Sequence, residues 1–173
     1  MTEQPTYEVL RTVDGVEIRK YPKLLVVMTE AGTGDSGFDY LFRYITGNNR
    51  TRKHIPMTIP VITSEKVAMT APVINAGEAM AFVVPRKYTL ETAPVPTDPA
   101  VHLEEIPERL LAVLRFNGYT PYQRVSEFQQ RLMATVEKNG IATVGEPFLM
   151  RYNSPFSLGF WRRNEVAVQI EQD

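Results

Sequence analysis

The sequence predicts an α+β fold in which one βαββ unit is used twice. Two observations carry that expectation. A β-rich run at 24–29 is followed by an amphipathic helix and two strands, and a run at 110–117 is again followed by a helix and two strands. Around the helices, short runs of apolar residues alternate at the strand period of two, whereas the helical stretches repeat at about 3.6. The residues of the two halves resemble each other only weakly, so the repeat rests on the order of elements.

Residues 7–12 and 16–21 alternate and are joined through Asp14-Gly15, a strong hairpin signal. Pro22 breaks the pattern, and the run at 24–29 ends in the turn region of Gly32 and Gly34. A helix follows, because Ser36 with Asp39 resembles a capping box and Phe38, Leu41, Phe42 and Ile45 share one face. Gly47, Asn48 and Asn49 close it. Residues 80–85 read as a buried strand, and 87–99 as a proline-punctuated connection with at most one short helical turn. Strands at 101–106 and 110–117 lead into the clearest helix. Thr120 is its expected cap, Pro121 its first residue and Gln123 the completion of the box, with Val125, Phe128, Leu132 and Val136 as the apolar stripe. Asn139-Gly140 ends it, and strands at 148–152 and 164–170 flank a long loop at 153–156.

One phrase is written twice. Residues 55–62 read Ile-Pro-Met-Thr-Ile-Pro-Val-Ile and residues 67–74 read Val-Ala-Met-Thr-Ala-Pro-Val-Ile. Both copies are amphipathic extended segments, and the polar residues 63–66 are short enough to fold one copy back on the other. Pro60 and Pro72 each remove a ladder donor, which predicts edge strands, bulges or strand ends. Met57 and Met69 then present two thioethers on what the pattern makes one apolar wall.

Composition narrows the function. With 173 residues the chain fits one domain or two intimately packed halves, and it buries roughly 70% of its unfolded surface without staples. A formal charge of −1 gives no global field for nucleic acid or anionic lipid, so nucleic-acid binding is disfavoured. The absence of cysteine excludes disulfides, thiolate metal sites and thiolate-ligated haem. The first residues lack a signal-peptide pattern and no apolar run approaches a membrane span, which predicts a cytoplasmic protein with no membrane partner.

The repeated M-T-x-P-V phrase, Glu17-Ile-Arg-Lys-Tyr21, Phe82-Val-Val-Pro-Arg-Lys-Tyr-Thr-Leu90, Ala112-Val-Leu-Arg-Phe-Asn-Gly118 and Arg162-Arg-Asn-Glu-Val166 run in order from residue 17 to residue 166, within a resemblance that covers about 7–171. Together they resemble the SOUL/haem-binding-protein family. The resemblance implies a single domain over 1–173, with pseudosymmetric halves at about 7–85 and 101–171. It also implies an antiparallel sheet, open or barrel-like, with two packed helices and a ligand cleft between sheet and helices. Some family members are thought to place an axial histidine in the strand at 17–21, where Lys20 stands at the matching position.

Protein-bound haem uses His, Met, Cys or Tyr as axial ligand. His54, in the basic loop at 50–54, is the histidine to test as a ligand of the iron; its plainer role is a surface-loop residue. His102 falls on the polar face of a strand. Met57 and Met69 suit a flat aromatic ligand, although methionine more often fills core gaps. Propionates call for cations at the rim of an apolar slot, and Arg43, Arg50, Arg52, Lys53, Arg162 and Arg163 are available. Phe156, Phe160 and Trp161 lie beside the last pair, suited to stacking on a macrocycle or to the core. Catalytic motifs of the G-x-S-x-G, H-E-x-x-H and phosphate-loop kinds are missing. Glu104, Glu105 and Glu165 are the carboxylates that would serve general acid–base work, or simply solvated strand edges.

The expectation is therefore a protein that binds haem or another tetrapyrrole in an apolar cleft and carries or buffers it without strong axial ligation. Arg43, Lys53, Arg162 and Arg163 are the expected rim cations, Met57, Met69 and Trp161 the apolar contacts, and His54 the ligand to test. The resemblance extends to effector-binding domains, which implies a second reading: a small-molecule module or carboxylate-dependent hydrolase working through Glu165. A third is an interaction domain in which the doubled phrase offers an edge to a partner strand.

Overall fold

The computed structural model describes residues 3–32, 35–51, 73–153 and 157–172. The chain opens with a hairpin of β1 (Glu8–Val13) and β2 (Val16–Tyr21), followed by β3 (Leu24–Thr29) and helix α1 (Asp35–Thr46). A short strand, β4 (Asn49–Arg50), then precedes β5 (Val73–Ala76) and β6 (Ala79–Val83). β7 (Val95–Pro96), β8 (Val101–Ile106), β9 (Arg109–Asn117) and helix α2 (Tyr122–Lys138) come next. The chain finishes with β10 (Thr143–Arg151), a 3₁₀ turn (Gly159–Trp161) and β11 (Arg163–Ile170).

Nine strands form one antiparallel sheet in the order β1-β2-β9-β11-β10-β5-β6-β3-β8. Among the described residues β1 and β8 are unjoined edges, so the sheet is open rather than a barrel. The two βαββ units sit as β9-β11-β10 and β5-β6-β3, meeting at β10 and β5 as a pseudo-twofold axis would place them. Their leading strands are exchanged. β2 precedes the first unit in sequence but pairs with β9 of the second, while β8 precedes the second and pairs with β3 of the first.

Local chemistry explains the elements. Asp14 and Gly15 both have positive φ, 47° and 81°, as a type I′ hairpin turn requires. α1 ends where the Asn49 side-chain amide donates to the Tyr44 carbonyl at 2.7 Å. α2 ends at Asn139, and Gly140 takes φ 65°. The predicted N-caps are not used. Pro121 rather than Thr120 is the N-cap of α2 and makes no side-chain cap bond, and α1 begins one residue before Ser36, whose hydroxyl instead bonds the Ala31 carbonyl. The last hairpin is longer than its apolar run suggests. Gly145, with φ 75°, lies where the β10–β11 register shifts between Val144 and Phe148, so the strand continues through a Gly-Glu-Pro stretch that reads as a loop.

Both helices lie on one face. Leu149 and Asn75 are direct partners on β10 and β5, as are Arg151 and Val73, so these four side chains share a face. Val73 belongs to the core under α1, with Leu41, Tyr44 and Phe82, while Leu149 packs on the core under α2, with Phe116, Leu132 and Val166. The opposite face carries a third apolar cluster, including Tyr21, Val26, Ile74, Leu111 and Phe148. Residues 3–7 cross that side. Glu3 and Gln4 accept bonds from Arg86 at 2.8 and 3.0 Å, and the Tyr7 ring lies 5.1 Å from that of Tyr21.

Gly37 marks the closest approach of helix and backbone. A Cβ there would overlap the carbonyl of Gly32. Alanine normally stabilises a helix over glycine, but here overpacking reverses the sign. Gly37→Ala is expected to cost about 1–3 kcal/mol, read as a lower thermal midpoint.

The doubled phrase meets one correction. Its first copy and residues 67–72 of the second lie outside the described residues. The part that is described, Val73 and Ile74, begins β5, which pairs with β10 on one side and β6 on the other. That strand is interior and offers no free edge to a partner.

Candidate functional site

Two clusters of polar side chains stand out, one on each face of the sheet. On the face opposite the helices, β2, β9 and β11 place Arg19, Glu165 and Arg163 together. Glu165 is fully buried, and it is held by Arg19 through Nη1–Oε2 at 2.9 Å and Nη2–Oε1 at 3.0 Å. Arg163 donates to the same Oε1 from Nη2 at 2.7 Å. Glu17 takes the Arg19 Nε–H at 2.6 Å, and the Tyr21 and Tyr7 hydroxyls accept from Arg19 and Arg163 at 3.0 and 3.2 Å. The Tyr7 ring caps Arg19, with the guanidinium carbon 4.1 Å from its centroid.

Electrostatics fixes the state of this cluster. Burial pushes the Glu165 carboxyl up, but the hydrogen bonds and charge of Arg19 and then of Arg163 outweigh it and hold the group below its ordinary range. Burial likewise lowers Arg19, and its bond to Glu165 more than restores it, leaving the guanidinium above its ordinary value. Glu165 therefore has no proton to give near neutrality, and its oxygens are already taken by two guanidinium groups. This geometry makes Glu165 a structural ion-pair partner and lends nothing to the hydrolase reading. Arg163, expected as a rim cation, is committed to Glu165.

On the helix face, α1 packs on β3, β6 and β8, and α2 on β9, β10 and β11, leaving β5 between the two footprints. Asn75 lies on this strip, and Arg151, at the end of β10 and paired with Val73, borders it. Both the oxygen and the nitrogen of the Asn75 amide are buried without a hydrogen-bond partner, and so is Nε of Arg151. Burial, and then the charge of Arg162, push the Arg151 guanidinium below its ordinary value. A partly desolvated cation with an orphaned donor is costly unless an anion reaches it. Arg162 stands at the end of the strip, donating from Nε to the Ser157 carbonyl at 2.9 Å and lying 4.9 Å over the Tyr119 ring.

The other expected site residues distribute as follows. Trp161 projects into solvent beside Phe160, ring centroids 5.5 Å apart. Arg43 is exposed on α1. Lys53, His54, Met57 and Met69 lie outside the described residues, as do Arg52 and Phe156. His102 is half exposed and sits 3.3 Å from Glu104, so it is engaged at the surface and far from a ligand role. Among the described residues no three His, Asp or Glu side chains cluster as a metal site, and no helix is long and apolar enough to cross a membrane.

A family model described as SOUL heme-binding protein matches residues 2–169. The chain belongs to the SOUL heme-binding protein family. A curated relative of this SOUL chain is Heme-binding protein 2 of Homo sapiens, 28% identical over 157 residues, covering 87% of this chain and 75% of that protein. Solved structures share the fold at much lower identity. The EcmrR C-terminal domain superposes with a TM-score of 0.59 at 13% identity, over 96% of this chain and 99% of that one. A hydrolase from Listeria innocua gives a TM-score of 0.57 at 10% identity, over 94% of each chain.

Within the SOUL chain, the residues that sequence reasoning missed are Asn75, Arg151 and Arg19. Arg151 left a faint signal, a cation in step with Leu149 on the inward face of a strand. Arg19 stands inside the family phrase at 17–21, where Lys20 drew the attention.

Proposed function

We propose that this SOUL chain binds haem or a related tetrapyrrole on the helix face of its sheet, over the strip between α1 and α2, and carries or buffers it. The observation that carries the reading is Arg151, half-buried with its Nε buried and unpartnered, beside the equally orphaned amide of Asn75. A propionate is the chemistry these groups lack: an anion that accepts from Arg151 and from the Asn75 nitrogen. Arg162 adds positive potential at the end of the strip, and Trp161 gives a flat apolar surface there. Arg43 is the proposed cation on the α1 side. Lys53, His54, Met57 and Met69 belong to the segment leading into Val73, the direct partner of Arg151, and complete the proposed contacts.

The tetrapyrrole would bring its own iron chemistry; these residues would pair with its carboxylates and exclude water from one side of the ring. Binding without a strong axial bond is part of the proposal. The cytoplasm is the proposed setting. Haemin added to purified protein is expected to give a saturable one-to-one Soret shift, and iron-free protoporphyrin to bind within about 10-fold as tightly, since an iron bond worth more than about 1.4 kcal/mol would separate the two further. His54→Ala should change haemin affinity little. A shift that never saturates, or one that an unrelated apolar protein reproduces, would overturn the reading.

A further inference from the structure

A second surface lies at the end of the sheet where β9 passes into α2 and the 3₁₀ turn enters β11. Five large side chains project there: Tyr119, Tyr122, Leu158, Phe160 and Trp161 are 62%, 86%, 63%, 69% and 72% exposed. They stand on a fixed base. The Gly118 nitrogen donates to the Arg162 carbonyl at 3.1 Å, and the Asn164 amide donates to the Gly118 carbonyl at 2.7 Å. The Tyr119 ring lies so close to Gly159 that a Cβ there would overlap it. Between the two loops runs a groove of about 530 Å³, whose walls include Tyr119, Leu158 and Phe160.

Charge is unevenly placed around it. Two arginines flank it, Arg124 in the groove wall and Arg162 against the Tyr119 ring, and the groove lining includes no aspartate or glutamate, although the whole chain carries −1. Exposed leucine and aromatic groups on so small an area, flanked by two arginines, mark an interaction site. We propose that this end docks peripherally on an anionic lipid surface. Leu158 and Phe160 enter the acyl boundary, Tyr119 and Tyr122 sit at headgroup depth with their hydroxyls in water, and Arg124 and Arg162 face the phosphates. Lipid suits the geometry better than a deep-seated peptide does, because all five side chains are more than half exposed and the groove they flank is open. The inference goes beyond tetrapyrrole binding and does not rest on it.

Trp161 is the sole tryptophan, so its fluorescence reports this end alone. Apo-protein is mixed with phosphatidylcholine vesicles, with or without phosphatidylserine, then sedimented. A blue shift and co-sedimentation are expected with the anionic vesicles, weakening as salt is raised. The double variant Leu158→Ser, Phe160→Ser should lose about 10-fold or more in vesicle affinity, by the area of apolar surface removed, while its circular dichroism and haemin titration stay those of the parent. Silence with anionic vesicles, equal binding by the double variant, or a Trp161 shift with poly-glutamate but not with vesicles would each overturn the proposal.

Discussion

Replacing Glu165 by glutamine lowers the unfolding free energy by about 3 kcal/mol, read from the midpoint of a denaturant titration. The carboxylate is fully buried and holds two arginines, one of which, Arg19, is itself only 2% exposed. Removing it leaves a guanidinium in a place where water cannot reach it, and such breakage costs several times what an exposed pair is worth. Glu17 remains on Arg19 Nε, which sets the effect at the lower end of the usual range. Glu17→Gln, at a partly exposed site, should cost under about 1 kcal/mol. Equal shifts for the two variants would show that burial does not govern the cluster. The same pairing gives a pH dependence. Because the folded-state pKa of Glu165 lies below its ordinary 4.5, its contribution is complete above that value and is lost as pH falls through the folded pKa. The parent should therefore lose stability below about pH 4.5 more steeply than Glu165→Gln does.

Arg151→Met is expected to move stability and binding in opposite directions. The thioether fills similar volume without a charge, so removing the half-buried guanidinium with its unpartnered Nε should stabilise the apo-protein by up to about 1 kcal/mol. Haemin affinity should fall about 10-fold or more, since a charge-assisted bond to a propionate is worth roughly 1.5–3 kcal/mol. An ordinary structural arginine behaves otherwise, its loss lowering stability and leaving the Soret titration alone. That pattern in Arg151→Met would move the tetrapyrrole off the strip between the helices. Asn75→Leu serves as the companion variant, with the same pair of signs on a smaller scale.

The fold was legible wherever a pattern is local. Asp14-Gly15 turned as such a pair must, the stripe from Val125 to Val136 became α2, and the twofold element order became the two triplets that meet at β10 and β5. What escaped depended on partners far away in sequence. Nothing near residue 19 says that Glu165 waits for it, and nothing near residue 73 says that β10 will close over it from the other half. Proline and glycine misled where the sheet overrode them, as at Gly145 and Pro147, where a strand continues through a turn-like stretch. The candidate site was legible by type more than by place. Arginines beside aromatics near 161–163 suggested a propionate rim, but alternation sends Arg163 to the face opposite the helices and Arg162 toward Arg151.

The exchange of β2 and β8 between the halves reaches beyond the folded state. As the chain leaves the ribosome, β2 emerges early, yet the strand that flanks it on the inner side, β9, lies some ninety residues later, since Glu17 pairs with Val113. β3 can take β6 from its own half but must wait for β8. Closing such long loops before any contact rewards them is slow. Meanwhile the first half carries three strands with open sides, β2, β3 and β5, the kind of surface that invites pairing with another nascent chain. The crossed strands tie the halves together in the finished protein, and together with the β5–β10 pairing they give synthesis a vulnerable interval that lasts until Arg151 is available.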